Sequence, residues 1–374
     1  MTDMTLSDDQ GMLADSARRY VERAYDAAVR ERSMLDGHGC LKEVWQAFAG
    51  MGWLAMALPE SADGLGASVL DLCLVAEELG RAPVNEPWIA ASVFAAPLLA
   101  ACADDELRRE WLPGLIDGTR RIAFVPWTHG TVLRKENSVE VLEGGGGALV
   151  IGGSGADAYI VEASPQEGRR ALLLVRADQA GVTIDACALY DGRGAARLRF
   201  SGVEATCLRS DTREAIAACV EVVVQQATVA HCAETVGSMQ RAFEITLEYL
   251  KTRRQFGGSI AANQVVQHRL VDLMIEIEEA RALTHAAARS LDDDAATDAA
   301  RRRMVSGAAS CVSSAARLVW KECVQLHGAI GMTQEYELGQ FVRRLAAAAT
   351  LHGGAASHLE ALAALSLDEE GIPA

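Results

Sequence analysis

The chain has 374 residues, half of them hydrophobic, with 51 acidic against 35 basic residues and a formal net charge of −16. This length is enough for a sizeable core and predicts two or three domains. The acidic balance argues against a nucleic-acid partner, because a phosphate backbone requires a basic face. It does not argue against a small anionic ligand, for which a local cluster of arginines and backbone N–H groups is enough.

Neither a membrane span nor a signal peptide is indicated. No segment approaches the uninterrupted apolar length of a span, and the start, MTDMTLSDDQ, is acidic where a signal peptide is basic. Nine cysteines without a CxxC pair predict reduced core thiols rather than disulfides or zinc ligands. We therefore expect a cytoplasmic protein with no membrane partner and no metal site.

Residues 5–118 are predicted to form helices joined by turns. Val69–Leu79 carries apolar residues at helical spacing and is expected to stop at Gly80, and the preceding loop, Pro59–Gly66, is rich in turn residues. These features predict an N-terminal helical domain over residues 1–118.

Residues 119–205 have a different character. Short apolar runs at Ala148–Ile151, Ala158–Ala163 and Ala171–Val175 are separated by glycine-rich breaks and lack a helical period. This pattern favours strands. We predict a small antiparallel β domain over residues 119–208.

The remainder of the chain is predicted to be helical. Seven of the eight prolines lie at or before Pro165, and none occurs from residue 166 to 372. Proline is costly inside helices, so their absence favours long ones. Asp211 and Glu214 have the spacing of a capping box at the start of the first helix. A third helix is expected over about residues 298–327, after an acidic break at Asp292–Asp294.

Two apolar stripes at helical spacing mark the first two of these helices. One runs through Val229, Ala233, Val236, Gln240, Phe243, Leu247 and Leu250, and the other through Val266, Leu270, Leu273, Ile277 and Ala280. Long helices with short connections form antiparallel bundles. We predict a C-terminal four-helix bundle over residues 209–374.

Two motifs in this part of the chain resemble those of the acyl-CoA dehydrogenase family. The first is Arg253-Arg254-Gln255-Phe256-Gly257, followed by Gln264 and His268; alone, it would be a basic helix end with a glycine cap. The second is Gln325-x-x-Gly328-x-x-Gly331 with Glu335-Tyr336. Shorter matches in the N-terminal part extend the resemblance over nearly the whole chain: Met51-Gly52-Trp53, Pro59-Glu60, Gly64–Gly66 and Glu77–Arg81.

The resemblance implies an FAD site and the family's three-domain fold. Arg253 would pair with the FAD pyrophosphate, a task suited to a bidentate guanidinium. Gln255, Phe256 and Gln264 would line the same region. The residues Gln325, Gly328 and Ala329 would lie along the adenosine and pyrophosphate across a subunit boundary, with Ala329 in place of the usual glycine.

Two departures from the family concern the flavin ring and the catalytic base. The middle-domain loop that cradles flavin and substrate reads Phe124–Val132, FVPWTHGTV, and the later flavin strand reads Val150–Ser154. The usual carboxylate position is His352, and the alternative position, on the first bundle helix, is Ala227. A positioned carboxylate normally removes the α-proton.

Three hypotheses for the base follow. His352 could act itself, since imidazole has a suitable pKa, although a lone histidine is more often structural. Glu234 lies two turns beyond Ala227 on the same helical face, although it could equally be a solvated or interface carboxylate. In the third hypothesis this chain supplies no base.

The third hypothesis is supported by a further resemblance. The segment Cys232–Met239 and the Gly339…Arg343-Arg344-Leu345…Gly353 pattern are similar to small subunits of pimeloyl-CoA dehydrogenase-type enzymes and of steroid side-chain dehydrogenases, which work as α2β2 heteromers. The resemblance implies FAD-dependent α,β-dehydrogenation of an acyl-CoA. The implied partners are a homologous large subunit (heterotetramer) or a second copy (homotetramer), with an electron-transferring flavoprotein as acceptor. The alternative is a catalytically silent scaffold that binds its partner without FAD.

Overall fold

The computed structural model describes residues 5–128, 131–136, 139–165, 168–255, 257–333 and 336–370. The helices are α1 (Asp8–Ala24), α2 (Ala27–Leu35), α3 (Lys42–Gly50), α4 (Val69–Arg81), α5 (Ala96–Cys102), α6 (Asp105–Ile116), α7 (Arg213–Thr252), α8 (Gln264–Asp292), α9 (Asp298–His327), α10 (Leu338–Ala348) and α11 (Gly354–Glu370). The strands are β1 (Ile122–Val125), β2 (Val132–Glu136), β3 (Val139–Ile151), β4 (Ala158–Ala163), β5 (Arg169–Arg176), β6 (Val182–Ala188), β7 (Gly194–Glu204), β8 (Thr206–Thr212), β9 (Arg254–Gln255) and β10 (Gly258–Ser259). Short 3-10 turns and one π-helical segment, Ile89–Ala95, complete the described elements.

The chain forms two compact units. The helical unit consists of Met1–Asp26, Val69–Val84 and Thr228–Ala374, and the mixed unit of Ala27–Ser68 and Asn85–Ala227. The predicted fold class, mostly helical with a small β domain, is confirmed. The three predicted domains, with limits after residues 118 and 208, stay predictions.

The core of the helical unit is built from the predicted stripes. All five members of the second stripe are buried, and so are Val229, Ala233, Val236 and Leu250 of the first. On α9 and α10, Val312, Val319, Phe341 and Leu345 are buried and belong to the same apolar cluster as Val236, Leu273 and Ile277. Burying one stripe per helix removes apolar surface from water, which holds the bundle together.

Two glycines allow α4 and α7 to approach closely. A Cβ at Gly80 would collide with the carbonyl oxygen of Glu234, and a Cβ at Gly237 with the carbonyl oxygen of Glu77. Ser238 Oγ donates a hydrogen bond of 2.8 Å to the carbonyl oxygen of Gly80. The prediction that Gly80 ends the helix is therefore wrong: α4 continues to Arg81, and the glycine serves the helix crossing.

The mixed unit contains two four-stranded sheets, in the orders β1-β4-β5-β8 and β2-β3-β7-β6. The second sheet is antiparallel throughout, as predicted. In the first sheet, β1 and β4 pair in parallel. The chain leaves after β1, forms the β2–β3 hairpin of the other sheet and returns as β4 in the same direction. The expectation of an entirely antiparallel domain is therefore wrong for this pair.

Helix α7 differs from its prediction in its cap and its length. Thr212 caps it, because its Oγ1 accepts a hydrogen bond of 3.2 Å from the backbone N–H of Ala215; Asp211 belongs to β8. The predicted capping box of Asp211 and Glu214 is therefore wrong: the cap lies one residue later, and Ala215 has no side-chain acceptor to complete a box. At 40 residues, α7 is the one described helix long and apolar enough to cross a membrane, which the sequence did not indicate. Half of its most apolar 18-residue segment is buried, as in the central helix of a bundle.

Candidate functional site

The first predicted motif lies where α7 ends. The helix stops at Thr252, and β9 and β10 form a short hairpin in which Gln255 is paired with Gly258. Gly257 has φ +86°, a left-handed conformation that favours glycine. Ile260 donates its backbone N–H to the carbonyl oxygen of Arg253 at 3.0 Å, which joins the two ends of the hairpin. Phe256 lies outside the described residues.

The side chains of this segment point to water. Arg253, Gln255 and Gln264 are exposed, and none of them makes a side-chain hydrogen bond or ion pair with any described residue. Gln264 is the first residue of α8, where the backbone N–H groups have no partner within the helix. A guanidinium, two carboxamides and a helix N-terminus favour an anionic or strongly polar ligand.

The second predicted motif lies where α9 ends. Gln325 is exposed in the last turn, and its side chain likewise has no partner within the described part of the chain. Gly328 follows with φ +68°, and a Cβ added to it would meet no atom within 4 Å. Gly328 and Ala329 are both exposed and begin the 3-10 turn Gly328–Met332. We refer to Arg253, Gln255, Gln264 and Gln325 as the exposed rim.

Three rings connect the two motifs. The ring of Tyr249, one turn before Arg253, stacks on the ring of His327 with centroids 4.4 Å apart. Tyr336 packs edge-on against Tyr249 at 6.2 Å and lies 5.3 Å from His327. The structure therefore brings the end of α7 and the end of α9 together. Glu335, which precedes Tyr336, lies outside the described residues.

His327 is a fixed, neutral member of this cluster. Its Nδ1 lies 2.9 Å from the carbonyl oxygen of Cys323, which can only accept, so Nδ1 carries the proton. Burial lowers the pKa of His327, and the hydrogen bond to Cys323 opposes this only in part. A neutral stacked imidazole adds no charge next to the exposed rim.

In the altered middle-domain loop, Trp127 contacts other residues of the same chain. The Arg170 guanidinium lies 4.0 Å from the ring centroid of Trp127, and Trp127 donates its backbone N–H to Glu162. Arg170 is in turn within 3.8 Å of a Glu162 oxygen. Residues 129 and 130 of this loop lie outside the described residues. This cation–π contact was not foreseen from the sequence, because it joins residues far apart along the chain.

Glu234, one candidate base, is buried and paired. Its Oε1 accepts a hydrogen bond of 2.9 Å from Arg344 Nη1, and its Oε2 lies 3.2 Å from His231 Nδ1. Only 7% of the residue is exposed. The alternative that Glu234 is a solvated carboxylate is therefore wrong; its role as a base stays a prediction.

Arg344 is the buried partner of Glu234 that the sequence left unassigned. It is 1% exposed, and its Nη2 donates to the carbonyl oxygens of Pro83 and Val84 at 3.0 and 2.9 Å. It lies three residues after the buried Phe341, on the face of α10 that packs inward. That helical spacing is the signal that could have identified Arg344 rather than Arg343 as the buried one.

The other two base positions carry no carboxylate. Ala227 is 1% exposed on α7. His352 lies in the 3-10 turn Leu351–Gly353, and its side chain is outside the described part of the structure. Within the described residues, no three His, Cys, Asp or Glu side chains are grouped as metal ligands.

Two family models match the chain. The acyl-CoA dehydrogenase N-terminal domain matches residues 7–119, and the acyl-CoA dehydrogenase C-terminal domain matches residues 220–367. Together they span more than half of the sequence. The chain belongs to the acyl-CoA dehydrogenase family. Acyl-CoA dehydrogenases are oxidoreductases whose cofactor is FAD, so the predicted enzyme class and cofactor are confirmed.

Several members of the family are similar over nearly the whole length. Acyl-CoA dehydrogenase IpdE2 of Mycobacterium tuberculosis (strain ATCC 25618 / H37Rv) is 27% identical over 93% of this chain and 94% of its own. A variant of the Tcur3481-Tcur3483 steroid ACAD is 27% identical with a TM-score of 0.85, covering 98% of this chain and 100% of that one. The ChsE4-ChsE5 complex from Mycobacterium tuberculosis has a TM-score of 0.87 at 23% identity, over 100% of both chains, which shows a shared fold.

The exposed rim fits the FAD of this family. Its guanidinium and three carboxamides suit a diphosphate flanked by ribose and adenine, and none is already engaged by described residues. A Cβ added to Gly257, Gly258 or Gly328 would meet no atom within 4 Å, so the backbone there is open to a ligand. The assignment of individual rim residues, Phe256 and Ala329 to FAD stays a prediction.

Proposed function

We propose that this chain is the small subunit of a heteromeric acyl-CoA dehydrogenase that carries out FAD-dependent α,β-dehydrogenation of an acyl-CoA thioester. The observation that carries the proposal is the exposed rim. It is a set of unengaged donors at one end of the helical unit, in a chain whose family uses FAD. The similar structure whose name includes a steroid supports a polycyclic acyl group as one substrate class to test.

Each rim residue has a defined part in the proposed cofactor site. FAD, when bound, supplies the acceptor for the substrate β-hydride. Arg253 would neutralise the diphosphate with two parallel hydrogen bonds, and Gln255 and Gln264 would donate to the same region. Gln325 and the open backbone at Gly328 and Ala329 would hold the adenosine end. The stacked Tyr249 and His327 keep these two segments adjacent.

The α-proton needs a base, and Glu234 is poorly suited to be one. Both carboxylate oxygens of Glu234 are already engaged, Oε1 by Arg344 and Oε2 by His231, so neither is free to take a proton from a substrate. Glu234 has Arg344 at 2.9 Å, and Arg344 is itself anchored by two carbonyl oxygens. We therefore propose that the base comes from a homologous large subunit. We also propose that the electrons taken from the substrate pass from the flavin to an electron-transferring flavoprotein.

An exposed apolar face of α8 supports assembly with another chain. Val271, Met274 and Ile275 are 49%, 48% and 56% exposed on the side of α8 away from its buried stripe. Adjacent apolar side chains in water are typical of protein–protein contacts. We propose that a homologous chain covers this face; a second copy of this chain is the alternative occupant.

The test compares the chain alone with the chain plus its large homologue. We expect flavin absorbance in the mixture, a single heteromeric species in native mass spectrometry, and bleaching of the flavin by acyl-CoA only when both chains are present. Glu234→Gln and His352→Ala are expected to leave the bleaching rate per bound flavin unchanged. Bleaching by this chain alone, lost in either variant, would show that it supplies its own base.

A catalytically silent scaffold is the second candidate, and the altered middle loop favours it. One face of the Trp127 ring is already covered there by the Arg170 guanidinium. If the chain is a silent scaffold, it should bind the large homologue and stay colourless when FAD is added. Retained flavin in the purified complex, reduced when Arg253 is replaced, would exclude it.

A further inference from the structure

Two cysteines of the mixed unit lie side by side. Cys102 is the last residue of α5 and Cys219 lies in the second turn of α7, 117 residues later, with their Sγ atoms 3.3 Å apart. Both are partly exposed and pack against the same apolar cluster, which includes Leu99, Leu112 and Ile216. The sequence-based expectation of core thiols is therefore wrong for this pair.

The surroundings of the pair stabilise one thiolate. The pKa of Cys219 is lowered to about 6, first by its sulfur–sulfur hydrogen bond with Cys102 and then by the nearby Arg209 guanidinium. Burial opposes this shift. The pKa of Cys102 is raised, first by that same hydrogen bond and then by burial. The two sulfurs therefore share one proton at neutral pH, and Arg209 favours the negative charge on Cys219.

Arg209 is placed to supply the positive charge. It lies on β8, the strand that precedes α7, and its side chain is 43% exposed, with Asp211 at 3.4 Å as its ion-pair partner. Arg108 on α6 adds a weaker positive influence on Cys102. A partly exposed thiolate beside a cation is the usual environment of a reactive cysteine.

Other cysteines of the chain are in the opposite situation. Cys40, Cys73, Cys232 and Cys323 are buried, and burial raises the pKa of each thiol. Burial also raises the pKa of the half-buried Cys311 thiol. Thiols of this kind are poor nucleophiles at neutral pH, so an oxidant would act on Cys219 before it acts on them.

We propose that Cys102 and Cys219 form a reversible thiol–disulfide pair that is oxidised by hydrogen peroxide. The Cys219 thiolate attacks one peroxide oxygen, the O–O bond breaks, and hydroxide leaves, giving a Cys219 sulfenic acid. The Cys102 sulfur then displaces that hydroxyl and loses its proton, so that the S–S bond forms and water leaves. Two electrons pass from the two sulfurs to peroxide, and an external dithiol reverses the oxidation by exchange.

The step requires little movement. A disulfide has an S–S distance of about 2.05 Å, so the two sulfurs must approach by roughly 1.2 Å, within reach of side-chain rotation. The bond would tie the end of α5 to the start of α7. The proposal does not depend on the flavin chemistry, because it uses neither the exposed rim nor an acyl-CoA.

The test treats the full chain with hydrogen peroxide and maps its peptides by non-reducing mass spectrometry. We expect a Cys102–Cys219 linked peptide that disappears with dithiothreitol. The link should be absent in Cys102→Ser and in Cys219→Ser, and present in the controls Cys187→Ser and Cys311→Ser. Sulfinic acid at Cys219 without any link, or a link from Cys219 to another cysteine in the wild type, would overturn the proposal.

A second measurement examines the thiolate without oxidation. The rate of Cys219 alkylation should rise with a midpoint near pH 6 in the wild type. In Cys102→Ala the midpoint should move toward about 8.5, the ordinary value for a cysteine, because the donated hydrogen bond is gone. An unchanged midpoint in this variant would mean that the two sulfurs do not interact, which also contradicts the proposal.

Discussion

The helical unit has two polar regions built from similar residues, and they differ in burial. In the interior, Arg344 donates hydrogen bonds to Glu234 and to two backbone carbonyl oxygens. At the surface, the side chains of Arg253 and the three glutamines of the exposed rim make no hydrogen bond or ion pair with any described residue. Glu234 lies on α7, and Arg253 directly follows the last residue of that helix, so one stretch of chain leads from the interior region to the surface region. In this comparison, the availability of partners rather than residue type separates a charge engaged within the protein from one that is open to a ligand.

The physical reason is the cost of removing charge from water. A buried guanidinium is tolerated only when hydrogen bonds and an opposite charge replace its hydration. Arg344 has both, so a ligand would have to break these contacts to use it. Arg253 keeps its hydration until an anion arrives, and the anion then gains a charge-assisted bond. The following predictions test this difference, beginning with the largest expected effect.

Removing the interior cation should be the most costly change. Arg344→Met leaves Glu234 buried without its main counter-charge, and we expect the free energy of unfolding to fall by about 3–5 kcal/mol in equilibrium denaturation. The neighbouring Arg343→Met is the control and should change it by less than about 0.5 kcal/mol. The double variant Glu234→Met/Arg344→Met should lose less than Arg344→Met alone. Equal losses for Arg343 and Arg344 would contradict the role assigned to the interior pair.

The close approach of α4 and α7 that surrounds this pair should be nearly as sensitive. Gly237→Ala places a methyl group against the carbonyl oxygen of Glu77, and we expect a loss of about 1–3 kcal/mol from overpacking. Gly307→Ala is the matched control, because Gly307 also lies in a helix but has nothing within 4 Å of its Cβ position. That variant should gain about 0.5–1 kcal/mol from helix propensity. Calorimetric unfolding of both variants would reveal whether the interior tolerates added volume.

At the exposed rim, the expected effect is on binding and not on stability. Arg253→Ala should weaken FAD binding about 10- to 100-fold, the range for a lost charge-assisted hydrogen bond. Its stability without FAD should remain within about 0.5 kcal/mol of the wild type. Arg254→Ala, next to it in the hairpin, should bind FAD normally. Flavin fluorescence titration of the complex separates the variants, and equal weakening by both would remove the special role of Arg253.

The smallest effect concerns Glu77, whose side chain is more exposed than the buried Glu234 and less exposed than the rim residues. Burial raises its pKa, but the neighbouring His285 and Arg281 outweigh burial, so the net pKa lies below the usual 4.5. A lowered folded-state pKa contributes stability above pH 4.5 that is lost as the pH falls through the folded value. The stability difference between wild type and Glu77→Gln should therefore shrink in acid. Denaturant titrations of both proteins from pH 7 to pH 3 measure this difference, and an equal difference at every pH would contradict the prediction.

Much of the helical unit was predictable because each helix buries one stripe. The stripe Val266–Ala280 and the helix at about residues 298–327 follow from local periodicity, and both are confirmed. Gly80 could not be interpreted in the same way. A glycine near a helix end is usually a stop signal, and only the approach of α7 reveals its purpose here. The parallel pairing of β1 with β4 was missed for a similar reason, since sequence patterns identify strands but not their neighbours.

The sequence by itself determined the family, the fold class and the segments that carry the FAD motifs, because these depend on residue order and local spacing. Only the tertiary structure decided that Glu234 is locked by Arg344, that Tyr249 stacks on His327, and that Cys102 meets Cys219. Each of these pairs joins residues 78 to 117 positions apart along the chain. Contacts at that separation depend on how whole helices pack, and no local pattern encodes them.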